Sequence, residues 1–358
     1  MVDEAAVSPE SPLGPEFWQL LLLAELPFVR RESLVDRARR HGRTDWEAFF
    51  REAPELNPAD RQRITKANLG AAATAINRGA QILERRKFPE KFAALPNAPV
   101  AVFVWGNCEA LDLPSVGIVG TRGASTYGKA VTRKFAEAFA QAGVAIVSGG
   151  AQGVDAAAHE GALEAGGYTI CAMSCGIDRA YPAAHRGLFD RIRSTGLLVS
   201  QFPAGWNPRH DSFVQRNATI AGLSDAILVI EAPERSGALI TANRANEFGR
   251  PVYVVPGNIS TASFRGSHAL IRDGATLVDH PDQILEEMGI GPSLTLSADA
   301  KLSFEQRAIL SVLGAEPILT DKIAEQSGLD SAAVLSELTM LELDGRILRG
   351  PGGYILAP

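Results

Sequence analysis

Apolar positions along the chain change their period twice, which divides it into three regions. From Phe17 to about Lys91 they recur every three or four residues among arginines and acids, the period of amphipathic helices. Within that region ITKANLGAAATAINRG, Ile64 to Gly79, reads as an Ala-rich helix closing on a glycine. From Pro99 to about Met288 short continuous runs take over: AVFVWG, VGIVG, VAIVSGG, YTICAMSCG, LLVSQF, AILVIEA and PVYVVPG. Helical stretches such as GKAVTRKFAEAFAQAG and GALITANRANEFG separate them, so the pattern predicts an α/β core with a mainly parallel, Rossmann-like sheet covered on both faces. After GIGPSLTLSADAK the helical period returns in FEQRAILSVLG, LTDKIAEQSG and DSAAVLSELTMLELDG, followed by two short strands, RILRG and GGYILA. Three helices and a hairpin predict a winged helix, with Thr320 and Ser331 placed to cap its second and third helices. The expected layout is a disordered start (1–15), a helical domain of SAM or helix-hairpin-helix type (16–92), the Rossmann-like domain (99–289), a linker (290–301) and the winged helix (302–358).

A length of 358 residues agrees with two or three domains, and 46% hydrophobic with 21% charged residues is ordinary for a soluble globular chain. The acidic start MVDEAAVSPESPLG lacks the basic region of a signal peptide. The apolar run Leu20 to Leu26 is broken by Glu25 and stopped by Pro27, far short of the roughly 20 residues that cross a bilayer. No membrane insertion is expected. Three cysteines, Cys108, Cys171 and Cys175, make no disulfide framework and fit a reducing cytoplasm. The apolar setting of Cys171 and Cys175 makes them core residues, and no metal is expected.

Charge narrows the picture further. The net charge of −6 argues against a chain that binds polyanions over its whole surface. Residues 178–216 are nonetheless locally positive, with six arginines (179, 186, 191, 193, 209 and 216) and His185 and His210 against Asp178, Asp190 and Asp211. Arg30, Arg31, Arg37, Arg39 and Arg40 are interspersed with Glu32 and Asp36 and read as a solvated helix face. From Gly291 to Pro358 nine acids face five bases, so the winged helix lacks the cations that DNA backbones need, and a protein-contacting or accessory role is expected first.

Four stretches carry candidate chemistry, and three of them bring glycine-rich or polar loops to the carboxyl ends of predicted strands, where such sheets bind ligands. IVGTRGASTYG offers Gly120, Arg122 and Ser125 as a phosphate cradle. It is not GxGxxG, and no acid follows at ribose-binding distance, so a dinucleotide cofactor is not expected. IVSGGAQGVD, with Ser148, Gly149 and Gly150, is a glycine loop opening a helix and could seat a phosphate, although glycine equally serves tight packing. GIDRAYP follows the next strand. In the fourth stretch Arg209 and His210 precede Phe213, Arg216 and Asn217, which share a helical face. Stacking of a base on Phe213 with Arg216 on a phosphate, and a core phenylalanine with a capping arginine, fit that spacing equally well.

Taken with ERSGALITANRA and YVVPGN, these stretches closely resemble the DprA/Smf family of DNA processing proteins of bacterial natural transformation, over roughly residues 100–285. The resemblance implies a protein that binds single-stranded DNA, brings the RecA recombinase onto it and promotes annealing, with no known catalysis. It implies a homodimer through the Rossmann-like domain, flanked by an N-terminal helical domain and a C-terminal winged helix. By that likeness Arg122, Ser125 and the Ser148–Gly150 loop meet phosphates and Phe213 stacks a base. Arg216 and Asn217 complete the family's FxxRN, and His210 stands where a basic residue often precedes the phenylalanine. Two departures stand out: Ala218 where a second arginine is common, and His268 in place of an asparagine. The rival expectation is a nucleoside monophosphate phosphoribohydrolase-like enzyme of related fold. Its PGGxGTxxE glutamate is replaced here, since Thr241 is followed by Arg244, but Glu231 and Glu247 lie nearby in sequence. Asp155 reads as an anchor for the glycine turn and His159 as a packing or surface residue.

Overall fold

Each of the seven apolar runs between Pro99 and Met288 supplies a strand to one nine-stranded sheet. The computed structural model describes residues 15–23, 28–41, 46–54, 56–58, 61, 66–96, 98–291, 302–314, 316–350 and 352–357. The expected disordered start and linker fall almost wholly on 1–14 and 292–301, outside the described residues. The strands are β1 (Gln81–Glu84), β2 (Ala101–Gly106), β3 (Ser115–Val119), β4 (Ala145–Ser148), β5 (Thr169–Ala172), β6 (Leu197–Ser200), β7 (Ala226–Val229), β8 (Val252–Val254) and β9 (Thr276–Leu277). Their order is β1-β2-β6-β5-β4-β3-β7-β8-β9. Neighbours from β6 to β9 are parallel, while β2 and β1 close one edge antiparallel.

Alternation explains why these strands are buried on both sides. Val116, Ile118, Ile146, Ala226 and Leu228 face one core, with Val131, Phe135 and Phe139 of the helix Thr126–Gln141 and Val154, Ala158 and Ala162 of the helix Val154–Glu164. Val119, Ala145, Val147, Ile227 and Val229 face the other, with Ile220, Ala221 and Leu223 of the helix His210–Leu223 and Ala238, Ala242 and Ala245 of the helix Gly237–Glu247. The chain winds outward from β3 through β4 and β5 to β6, then returns to β7 on the other side of β3 and winds away through β8 to β9. The crevice between the loops after β3 and β7 is therefore the topological switch point, the place where such sheets take ligands.

Strand β1 lies inside the span expected to be helical. The helix Lys66–Asn77 ends at Gly79, whose φ of 105° reverses the chain so that QILE pairs with β2. Aromatic packing of Phe17 with Trp18, Phe49 and Phe50 holds together the helices Pro15–Leu23 and Trp46–Glu52. Part of the arginine face expected to be solvated is turned to the sheet edge instead: Arg39 of the helix Phe28–His41, half-buried, pairs with Glu84 on β1 at 2.9 Å. Gln19 is buried and holds Ala204 by two hydrogen bonds, donating from Nε2 to the carbonyl and accepting the N–H at Oε1, both at 3.0 Å.

His159 is fully buried. Its Nδ1 lies 2.7 Å from the Thr169 hydroxyl, and that hydroxyl donates to the Ile146 carbonyl, so Nδ1 carries the proton and Nε2 is left without a partner. Burial first, then the nearby Arg216 and His185, push its pKa down to about 3. The unfolded chain takes up this proton below about pH 6.5 and the folded chain does not, so stability is lost as pH falls from there toward 3. Urea unfolding near pH 7.5 and near pH 5.5 should show the native chain losing about 1.4 kcal/mol more than His159→Gln, which cannot titrate. Parallel losses in the two proteins would refute the assignment.

In the C-terminal module the helices Phe304–Val312, Thr320–Ser327 and Ser331–Leu343 lead into the antiparallel pair β10 (Ile347–Gly350) and β11 (Gly353–Leu356), a winged helix around Ile309, Ile323, Val334, Leu338 and Leu341. The caps differ from those expected. Asp330, not Ser331, accepts the N–H groups of Ala332 and Ala333, and Leu319, which has no capping side chain, precedes Thr320. Among the described residues no helix is long and apolar enough to cross a membrane.

Candidate functional site

At the switch point a cavity of about 340 Å³ opens between the loop Gly120–Arg122, the helix His210–Leu223 and the start of the helix Gly237–Glu247. A smaller cleft of about 140 Å³ adjoins it, lined by Gly149, Gln152, Ser174 and Tyr181. Arg122, Ala151, Phe213 and Arg216 line both. Phe213 stands at their junction, half-buried, with the Arg122 guanidinium 5.1 Å from its ring centre and Tyr181 edge-on at 5.6 Å. Arg122 itself is exposed, as are Arg235 on the cavity rim and Tyr181. Two aromatic rings and a guanidinium at one opening offer a surface on which a flat group can stack and a cation for an anion beside it. His210, the first residue of its helix, is exposed beside Asp211, and Arg209 lies over the Trp206 ring at 3.9 Å.

Below this opening the polar groups are already engaged. Arg216 is buried and donates to the carbonyls of Gly149 and Ala172, at the carboxyl ends of β4 and β5. Its Nε donates to the Asn217 carbonyl oxygen, whose amide donates in turn to Gly237 at 3.1 Å. The Asp155 carboxylate accepts the N–H of Ala151 at 3.3 Å, so the anion seated in the glycine loop is the chain's own. Burial raises the Asp155 pKa against the pull of Arg216, and burial likewise lowers that of Arg216 against the pull of Asp155. A Cβ on Gly149 would overlap the Arg216 guanidinium, which explains the glycine by close approach.

The other expected residues lie below or behind the opening. Ser148 is fully buried and donates to the Ile118 carbonyl at 2.7 Å. Gly150 is buried under Phe189, and its carbonyl faces the Nδ1 of His185 at 3.0 Å. Ser125 caps the helix Thr126–Gln141, accepting from Gly128 and donating to Glu231 at 2.7 Å, so it shapes the Arg122 loop from behind. Gly120 lets that loop pack on Val154. Arg216 and Asn217 brace the floor; their polar groups meet carbonyls and each other. Cys171 and Cys175 are buried as expected; burial raises both thiol pKa values, that of Cys175 to about 12. Of the two departures, Ala218 lines a separate cavity behind the site helix, and His268 Nε2 lies 3.1 Å from the Gly257 carbonyl.

Tyr181 and Arg235 were missed as individual site residues. Each sits in a motif already singled out, GIDRAYP and ERSGALITANRA, but only the three-dimensional meeting with Phe213 and the cavity gives them a task.

Comparison with known proteins agrees with this architecture. Residues 80–289 match the family described as DNA recombination-mediator protein A, and residues 295–353 match the DprA winged helix domain. The chain is 37% identical to the protein Smf of Escherichia coli over 280 residues, covering 75% of this chain and 74% of that one. It is 40% identical over 200 residues to the DNA processing protein DprA of Streptococcus pneumoniae, covering 56% and 71%. The crystal structure of the S. pneumoniae protein superposes with a TM-score of 0.66 at 31% identity, covering 77% of this chain and 98% of that one. DNA processing protein A from Helicobacter pylori, whose structure is described for its single-stranded DNA binding mode, gives 0.54 at 30% identity, covering 58% and 95%.

Proposed function

This chain belongs to the DNA recombination-mediator protein A family, and from that premise we propose that it binds single-stranded DNA in the cleft of Arg122, Tyr181 and Phe213. Loading of RecA onto the bound strand and promotion of annealing during natural transformation are the role we assign to it, in the cytoplasm and without catalysis. The observation that supports the site is the pair of rings, Phe213 and Tyr181, meeting an exposed arginine at the topological switch point. Stacking tolerates any base, and the few cations at the opening would hold only a few phosphates per subunit. A homodimer through the Rossmann-like domain would join two such clefts and raise avidity without new contacts.

The carboxylates left to the rival hydrolase are otherwise engaged. Glu231 is buried and accepts the Ser125 N–H and hydroxyl, and Glu247 pairs with Arg244 beside the separate cavity. Asp155 lines the site but holds the glycine loop.

The test is anisotropy of labelled single-stranded and duplex oligonucleotides, with a nucleoside monophosphate as competitor. Tight, salt-sensitive binding of the single strand, indifferent to the mononucleotide, is the expected result. Arg122→Ala should flatten the slope of log K against log salt by roughly 0.7, the value for one lost phosphate contact on a single strand. Strong mononucleotide binding with release of its base would replace this reading with the hydrolase.

A further inference from the structure

Six of the eleven exposed large apolar side chains among the described residues lie in the winged module: Phe304, Leu319, Leu335, Met340, Leu343 and Leu356. Three of them share its third helix, Ser331–Leu343. That helix buries Val334, Leu338 and Leu341 in the module's core. At about 100° per residue, Leu335, Met340 and Leu343 fall on the outward side, and they are 54%, 49% and 77% exposed. Ala332, Ser336 and Thr339 fill the spaces between them, so no charge interrupts the outward stripe. A helix apolar on both sides belongs between two partners, and among the described residues the module supplies only one.

The helix contains no lysine or arginine, and its only charges are Glu337 and Glu342, with Asp330 and Asp344 at its ends. A nucleic acid backbone therefore finds nothing to neutralise it there. A second copy of the module would set acids against acids.

We propose that this stripe docks a partner protein by an amphipathic helix whose apolar face is flanked by lysines or arginines. Apolar contact would supply the affinity and the acidic rim would select a basic partner. The inference stands apart from the DNA-binding reading, since it uses no residue of that site.

The test uses the full chain and a labelled helical peptide of about 18 residues built from leucine and lysine at helical spacing, long enough for about five turns. Anisotropy should show binding, and the matching leucine–glutamate peptide should not bind. Leu335→Ser with Leu343→Ser should weaken the complex about tenfold or more while leaving far-UV circular dichroism and single-stranded DNA affinity unchanged. Met340→Lys should weaken it as well, by opposing the peptide's charge. No binding by the native chain, or equal binding by the double variant, overturns the proposal. So does a change of oligomeric state in the double variant by sedimentation, which would make a second copy the occupant, or a loss of duplex DNA affinity, which would make the stripe a DNA contact.

Discussion

Arg216→Ala should destabilise the folded protein by about 3–5 kcal/mol, the range for removing a buried, hydrogen-bonded charge and leaving its partners uncompensated. The change leaves the carbonyls of Gly149 and Ala172 without this donor and the buried Asp155 without the cation that lowers its pKa. Lysine should rescue little, because a single ammonium cannot reproduce the planar fork that serves two carbonyls and Asn217 together. The loss should also depend on pH. Asp155 already has a raised pKa, and removing the cation raises it further. The folded variant then holds a proton that the unfolded chain releases, so its stability increases as pH falls toward the unfolded carboxylate range and decreases as pH rises through the folded value. Urea unfolding at several pH values measures both effects. A loss below about 1 kcal/mol, equal at every pH, would show that the guanidinium does not brace the loop.

Phe213→Ala should lower affinity for single-stranded DNA by about 1–3 kcal/mol whatever the base sequence, the usual loss for one stacked base. The same truncation frees Arg122, whose guanidinium lies 5.1 Å from the ring centre, and removes the surface against which Tyr181 is set. The two residues should therefore behave as one unit. Phe213→Ala and Arg122→Ala together should cost less than the sum of their separate losses, with a coupling of about 0.5 kcal/mol or more. Phe213→Trp should keep most of the affinity. Titrations of an oligothymidylate and a mixed-sequence strand supply the four corners of the cycle. A change below about twofold for Phe213→Ala would move the stacking site elsewhere.

The seven central strands, the winged helix and the family were legible because period and motif are local properties of the chain. Strand β1 was not, because QILE follows a strong Ala-rich helix and only its pairing with β2 makes it extended. The site was legible as a set of loops but not as a division of labour. FxxRN puts Phe213 and Arg216 on one side of a helix, yet the ring turns into the opening while the guanidinium turns under the glycine loop. Nothing in the spacing distinguishes those directions, which are set by the carbonyls at the ends of β4 and β5. The glycine loop is a related case. A bare strand-to-helix turn asks for an anion, and Asp155, four residues beyond Ala151, already provides one.

The two hydrogen bonds between Gln19 and Ala204 bear on how this protein can be dissected. A fragment beginning at residue 80 would retain all nine strands of the sheet and the whole span matched to the family. It would also lose the Gln19 amide that holds the N–H and carbonyl of Ala204 from far upstream. Ala204 lies in the turn that delivers the chain to Arg209 and the start of the Phe213 helix. Trimming the N-terminal helices would thus loosen the approach to Phe213, and if that ring stacks a base as proposed, shortened forms should bind single-stranded DNA more weakly than the 358-residue chain.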